Sequence, residues 1–235
     1  MSETGPKLDL ERIVFIGRSF DEYMRMFDLE PEDLSNRRIL DCPAGACSFT
    51  AKSNLLGADV TAADIAYFYP PDVLSEKGLQ DIGHAMQQLD QVKDNFVWEY
   101  FNSIEDLREA RIEALADSTR DRNSTPGRYI PVTLPGLPFR DQEFDLTLSA
   151  HFLFMYGDRL DYDFHVQTLQ ELLRVTKEEV RIFPIVDLSS RRYEHLDQLI
   201  ELVTAKGWNV EIVEVPYEFQ KGANHMLRIH RTTNL

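Results

Sequence analysis

Positive charge is scarce in this chain. Its 235 residues carry 25 Lys and Arg against 40 Asp and Glu, a formal net charge of −15. A field of that sign repels phosphate backbones, so nucleic acid is disfavoured as a partner. Cysteine is scarcer still. Cys42 and Cys47 share one short stretch, and no second Cys or His pair lies at a zinc-binding spacing, so no metal site is expected. His84, His165, His195, His225 and His230 are scattered without metal spacing. Two unpaired thiols fit a reducing compartment, and a cytoplasmic protein is expected. No apolar run approaches the roughly 18 residues of a membrane span. The N-terminal MSETGPKLDLER has no charged region followed by an apolar core, so no signal peptide is read there. The dinucleotide fingerprint G-x-G-x-x-G is also missing, which speaks against a nicotinamide oxidoreductase.

What is present is an alternation of strands and helices. Apolar content of 43% suits one globular domain spanning 1–235. The stretch Arg37 to Phe49, RRILDCPAGACSF, reads as a strand (Arg38 to Asp41), a turn of small residues and a helix start. The helix runs from about Ser48 to Leu56 and stops at Gly57. Ala58 to Ala63 is the next strand, with Asp64 just past its end. Strand, helix and strand in so short a span imply a right-handed crossover and parallel pairing. Ahead of these, Ser19 with Glu22 forms a capping-box pattern, and Phe20, Tyr23, Met24 and Phe27 share a face. Residues 8–30 are read either as a packing helix or as a lid whose Arg18 or Tyr23 reaches a ligand carboxylate.

Pro70-Pro71 opens a long helical region, 70–127, too long for a simple crossover and read as an insertion beside the site. Leu74, Leu79, Ile82, Met86 and Leu89 mark one helix, and Ile104, Leu107, Ile112 and Leu115 another, with DRNSTPG closing the region as a loop. The aromatic group Phe96, Trp98, Tyr100 and Phe101 is either core or a wall of an acceptor pocket. Tyr129 to Thr133 is a short strand, on an edge because of Pro131. Phe144 to Ser149 and Glu179 to Val186 are strands, and 163–175 and 193–206 are helices. Trp208 to Phe219 and Asn224 to Arg231 are read as an antiparallel hairpin across QKGA. The acidic run GDRLDYDF lacks the glycine and glutamate of a calcium loop and reads as a solvated loop.

The chemistry gathers at the first loop. Pro43, Ala44 and Gly45 let a ligand approach the backbone, and the helix-start N–H groups favour an electron-rich group. Asp41 can meet a ligand ammonium. Asp64, about 20 residues on, stands where an acid binds a ribose diol. A nucleoside-bearing cofactor without phosphates fits this set, and S-adenosyl-L-methionine is one.

ILDCPAGACSF resembles the first motif of the class I S-adenosylmethionine-dependent methyltransferases, and ADVTAADIAY their second-strand acidic motif. LPFRDQEFDLTLSAHFLF resembles their fourth-strand region, and the terminal hairpin their sixth and seventh strands. The resemblance covers about Arg37 to Ile229. It implies an α/β, three-layer Rossmann-like fold whose mostly parallel seven-stranded sheet runs 3-2-1-4-5-7-6, with an antiparallel C-terminal strand and here a helical insertion. It implies the methionine tail near Asp41 to Gly45, the ribose on Asp64 and the adenine beside Ile65. A small-molecule methyl acceptor would meet the cofactor near Ser149, Ala150 and His151. Two departures stand out: Pro43 and Ala44 replace motif glycines, and Thr133-Leu134 stands where an acid often meets the adenine amine. His151 is a candidate general base by position and intrinsic pKa, or a residue holding the loop by a hydrogen bond. A catalytically silent S-adenosylmethionine-binding regulatory or scaffold protein is the alternative to an enzyme.

Overall fold

The computed structural model describes residues 14–231; residues 8–13 of the expected lid lie outside the described residues. In chain order the elements are α1 (Phe20–Met26), β1 (Arg38–Asp41), α2 (Phe49–Leu55), β2 (Asp59–Asp64), α3 (Pro71–Gln91), α4 (Ile104–Ser124) and β3 (Tyr129–Pro131). They continue with β4 (Phe144–Ala150), α5 (Tyr162–Val175), β5 (Thr176–Phe183), α6 (Leu196–Ala205), β6 (Asn209–Glu214) and β7 (His225–His230). The seven strands form one sheet in the order β3-β2-β1-β4-β5-β7-β6. All its pairings are parallel except those of β7, which runs antiparallel to both β5 and β6. This is the expected methyltransferase topology.

Alternation along the central strands splits the core into two layers. Ile39 and Leu146 face a cluster that contains Phe27, just after α1, Phe49 of α2 and Leu115 of α4. Leu40 and Val180 face the opposite cluster, with Leu169 and Leu172 of α5 and Leu199 of α6. Pro131 lies in β3, the edge strand, where a missing N–H costs no ladder bond.

Several boundaries differ from the sequence reading, such as β5 starting at Thr176, β3 ending at Pro131 and Asp64 closing β2, and four differ for a visible reason. The α4 helix continues through Asp121 to Ser124, where a loop was expected. Its last turn is anchored because Arg122 donates to the carbonyls of Tyr67 and Tyr69, both at 2.7 Å, and Asp121 accepts from the Tyr129 hydroxyl. Strand β5 ends at Phe183 rather than Val186, just before Pro184, which has no N–H for the ladder. The α6 helix begins at Leu196, because Tyr193 leaves the helical path to stack on His165 at 4.5 Å. The largest difference is between β6 and β7. The strands pair as expected, but β6 stops at Glu214 and the chain from Val215 to Asn224 makes a wide excursion instead of a tight hairpin. Tyr217 and Phe219 are buried there against Tyr100, Phe96 and Phe101, and the Val97 N–H donates to the Phe219 carbonyl at 2.7 Å.

Candidate functional site

The C-terminal ends of β1, β2 and β4 meet at one edge of the sheet, where the strand order reverses and ligands of open α/β sheets bind. The loop after β1 turns through Gly45, whose φ of +56° lies in the left-handed region. Four of its backbone donors are used inside the protein. The Ala44 N–H bonds Ala63 O, Cys47 bonds Ala44 O, and Ser48 bonds Arg18 O. The Gly45 N–H donates to Asp64 Oδ2 at 2.9 Å. These four loop N–H groups already have partners; the helix itself starts beyond them, at Phe49.

Asp64 is 8% exposed and borders the cavity. Oδ1 accepts from Ala66 N–H at 2.7 Å, so each carboxylate oxygen holds one backbone donor and keeps a further lone pair. Burial raises its pKa, against the lowering effect of the two N–H groups. Asp41 lies deeper, fully buried. The Tyr23 hydroxyl donates to its Oδ1 at 3.0 Å, and its Oδ2 has no partner. Burial holds the Asp41 carboxyl well above the usual range, although the Tyr23 bond pulls the other way.

Residues Val14 to Ser19 lie across this loop as a strap. Gly17 passes so close that a Cβ there would stand 1.9 Å from the Ala46 carbonyl oxygen. Arg18 N–H reaches Cys47 Sγ at 3.2 Å, Phe20 N–H bonds Ser48 Oγ at 3.0 Å, and Phe15 N–H bonds the buried Asp81 carboxylate at 2.8 Å. Lys77 pairs with the same Asp81 oxygen.

The strap, the strand ends, α3, α4 and the Val215–Asn224 connector line a cavity of about 570 Å³. Its roof is tied down by one carboxylate. Glu22 of α1 accepts two bonds from Arg111 of α4, at 2.5 and 2.8 Å, and one from the Tyr217 hydroxyl of the connector at 2.6 Å. Burial pushes the Glu22 pKa up, but the charge and hydrogen bonds of Arg111 outweigh it, and Glu22 stays below the ordinary range. His151 sits opposite at a φ of +52°, its N–H bonded to Phe183 O at 2.6 Å. Its Nδ1 is buried without a partner. Burial, then the positive charges of Arg18 and Arg111, drive its pKa well below the histidine range. Intrinsic pKa is therefore no argument for His151 as a base here; it is a neutral imidazole.

Of the residues singled out from sequence, Arg18, Pro43, Ala44 and Gly45 line the cavity, as do Asp64, Ile65, Ala150 and His151. Three do not. Tyr23 is fully buried, stacked on Phe49 at 4.8 Å and engaged with Asp41, so it is no carboxylate-reaching lid residue. Asp41 supports the loop from below. Ser149 points away from the layer that Leu148 and Ala150 join, and is 1% exposed. Sequence reasoning missed Lys77, Arg111, Tyr217, Phe219 and Gln220, all in the wall. Of the aromatic group read as core or pocket wall, Phe96 lines the cavity, whereas Trp98, Tyr100 and Phe101 do not and pack in or against the core cluster. In the acidic run, Asp161 caps α5 through Phe164 N–H, a structural task. Among the described residues no group of three or more His, Cys, Asp or Glu could hold a metal, and no helix is long and apolar enough to cross a membrane.

No protein-family profile matches the chain. It is 37% identical over 225 residues to the uncharacterized protein MJ0045 of Methanocaldococcus jannaschii, covering 95% of this chain and 99% of that one. The chain belongs to the MJ0045 family. Among solved structures, the family member described here is similar to magnesium protoporphyrin IX methyltransferase of Synechocystis PCC 6803, with bound S-adenosylmethionine (14% identity, 86% of this chain and 73% of that one, TM-score 0.46). It is similar also to 1,6-didemethyltoxoflavin-N1-methyltransferase of Burkholderia thailandensis (18%, 83% and 71%, 0.44) and to a methyltransferase of Methanosarcina mazei (15%, 83% and 92%, 0.43). At such scores these likenesses carry no argument about ligand or reaction, and the fold rests on the strand order itself.

Proposed function

We propose that the MJ0045 family transfers a methyl group from S-adenosyl-L-methionine to a small-molecule acceptor. One observation carries the reading: an acid that keeps lone pairs for a diol borders a cavity whose adjoining loop has used four of its amides inside the protein. A pyrophosphate would find little to hold it there, whereas a phosphate-free nucleoside asks only for the acid and for space. The donor set therefore fits S-adenosylmethionine better than a dinucleotide. Bound there, the cofactor supplies a methyl group on a sulfonium already activated for displacement.

The chain's own part is to bind, align and exclude water. Asp64 accepts from the ribose hydroxyls, and Ile65 lies along the adenine. Pro43, Ala44 and Gly45 give the methionine tail close backbone approach, and Arg18 pairs with its carboxylate. At the strand-four end, Ala150 borders the acceptor and His151 Nδ1 accepts the acceptor's proton. Residues 14–30 act as a lid, and 70–127 as an insertion that walls the acceptor side of a single domain. A cavity of about 570 Å³ and an acidic chain favour a small acceptor over nucleic acid. Two buried free cysteines favour the cytoplasm.

Calorimetry with S-adenosylhomocysteine and with NAD tests the reading. Binding of the first and not the second is expected; the reverse result would restore the oxidoreductase. A catalytically silent S-adenosylmethionine-binding regulator or scaffold is favoured by one feature, the weak basicity of His151. Binding without methyl transfer to any acceptor in a metabolite panel would support that reading.

A further inference from the structure

We propose that the acceptor half of the cavity takes an uncharged, mainly apolar molecule and excludes ionised ones; this rests on the cofactor occupying the Asp64 side. The wall beyond the cofactor loop is built by Met86 and Leu89 of α3, Phe96, Leu107 of α4 and Phe219 of the connector. The two rings, Phe96 and Phe219, lie 4.8 Å apart, so this wall offers an extended apolar surface.

The charges that reach this part of the cavity are already cancelled. Arg111 is held bidentately by Glu22, and Lys77 by Asp81. His151 is a neutral imidazole. Two charged groups in the wall remain without an ionic partner among the described residues. Asp64 has only backbone N–H donors, and the Arg18 side chain has only the Ile16 carbonyl, at 3.5 Å. Both are matched by the cofactor, one by its ribose hydroxyls and the other by its carboxylate. An ionised acceptor would leave water for a low-dielectric chamber with no counter-charge to meet it. An uncharged apolar one gains by burial in proportion to its apolar area.

The test is calorimetry on the full chain saturated with S-adenosylhomocysteine, whose own binding is measured first. The probes are 4-ethylphenol, 4-butylphenol and 4-hexylphenol, with 4-hexylbenzoate and 4-hexylbenzylammonium as charged counterparts. Affinity for the phenols is expected to rise roughly three- to fourfold per methylene. Both charged probes are expected to bind at least about tenfold more weakly than 4-hexylphenol, in line with the desolvation cost of an unpaired ion. Phe219→Ala is expected to weaken 4-hexylphenol several-fold, while S-adenosylhomocysteine binding and the melting temperature check that the fold persists. Equal or tighter binding of either charged probe, or no gain with chain length, overturns the proposal. Failure of S-adenosylhomocysteine to bind in the first titration overturns the cofactor reading instead, so the two failures are told apart.

Discussion

The floor and the roof of the cavity are held by different kinds of bond. The floor, at the ends of β1 and β2, is a backbone construction. Ala44, Gly45 and Cys47 bond to groups in the same loop or on the neighbouring strand. The roof is a side-chain construction. Glu22, Arg111 and Tyr217 come from three distant parts of the chain, and Phe219 packs on Phe96. A floor of this type survives most side-chain changes and is sensitive to added bulk. A roof of this type fails when one side chain is removed.

The largest expected effect falls on the roof. Glu22→Ala leaves the buried Arg111 charge and the Tyr217 hydroxyl without their acceptor and should cost about 3–5 kcal/mol, read by urea unfolding. A loss below about 1 kcal/mol would mean that the roof does not depend on this carboxylate. The floor's counterpart is Gly17→Ala. The added Cβ meets the Ala46 carbonyl, a backbone group that cannot swing away, so about 1–3 kcal/mol of destabilisation is expected, together with weaker S-adenosylhomocysteine binding. Normal melting and normal binding would show that the strap lifts without cost.

Asp64→Ala removes a ligand group and, with it, the acceptor of the Gly45 and Ala66 N–H groups. It should weaken S-adenosylhomocysteine by roughly 1–3 kcal/mol in calorimetry. An unchanged dissociation constant would remove Asp64 from the site.

The two buried carboxylates differ in sign with pH. Glu22 has a lowered pKa, so its contribution to stability is present above the unfolded carboxylate range, near pH 4.3, and is lost as pH falls through its folded value. Below about pH 4.3 the natural chain should lose stability faster than the Glu22→Gln/Arg111→Met double variant. Asp41 has a raised pKa, so the folded state holds its proton longer and stability declines as pH rises from the unfolded range towards the folded value. Asp41→Asn should remove that decline. It gives the smallest effect expected, seen as a flatter dependence of the urea midpoint on pH. Parallel profiles for variant and natural chain would show that Asp41 is ionised without penalty.

The floor was legible in the sequence and the roof was not. RRILDCPAGACSF and ADVTAADIAY carry their structure locally, through strand pattern, small turn residues and an acid at a strand end, so Gly45, Asp64 and His151 could be placed without coordinates. The capping box of Ser19 and Glu22 was legible too, and it forms. Its pattern did not tell that Glu22 also receives Arg111 and Tyr217, since nothing local in EDLREAR or PYEFQ points to α1. The same limit produced the error at the terminal strands. Alternation in VEIVEVPYEF suggested a strand running on to Phe219, but Tyr217 and Phe219 are apolar to cover the insertion, not to face a sheet partner. Tyr23 was misplaced in a like manner: a hydroxyl near the site reads as a ligand group, and only the fold shows it turned to Asp41.

The meeting of Glu22 with Tyr217 spans 195 positions of sequence. A chain emerging from the ribosome has its strap, its first loop and Asp64 long before the residues that close the chamber exist. Until then Glu22 has Arg111 alone, and the apolar faces of α3 and α4 stand uncovered beside a half-made binding site. Contacts of such range form late, because a long loop must close before they reward it. A chain broken off before Val215 would lack Tyr217 and Phe219 of the roof and, with β7, the strand that joins β6 to the sheet: completing the polypeptide closes the chamber and the sheet together.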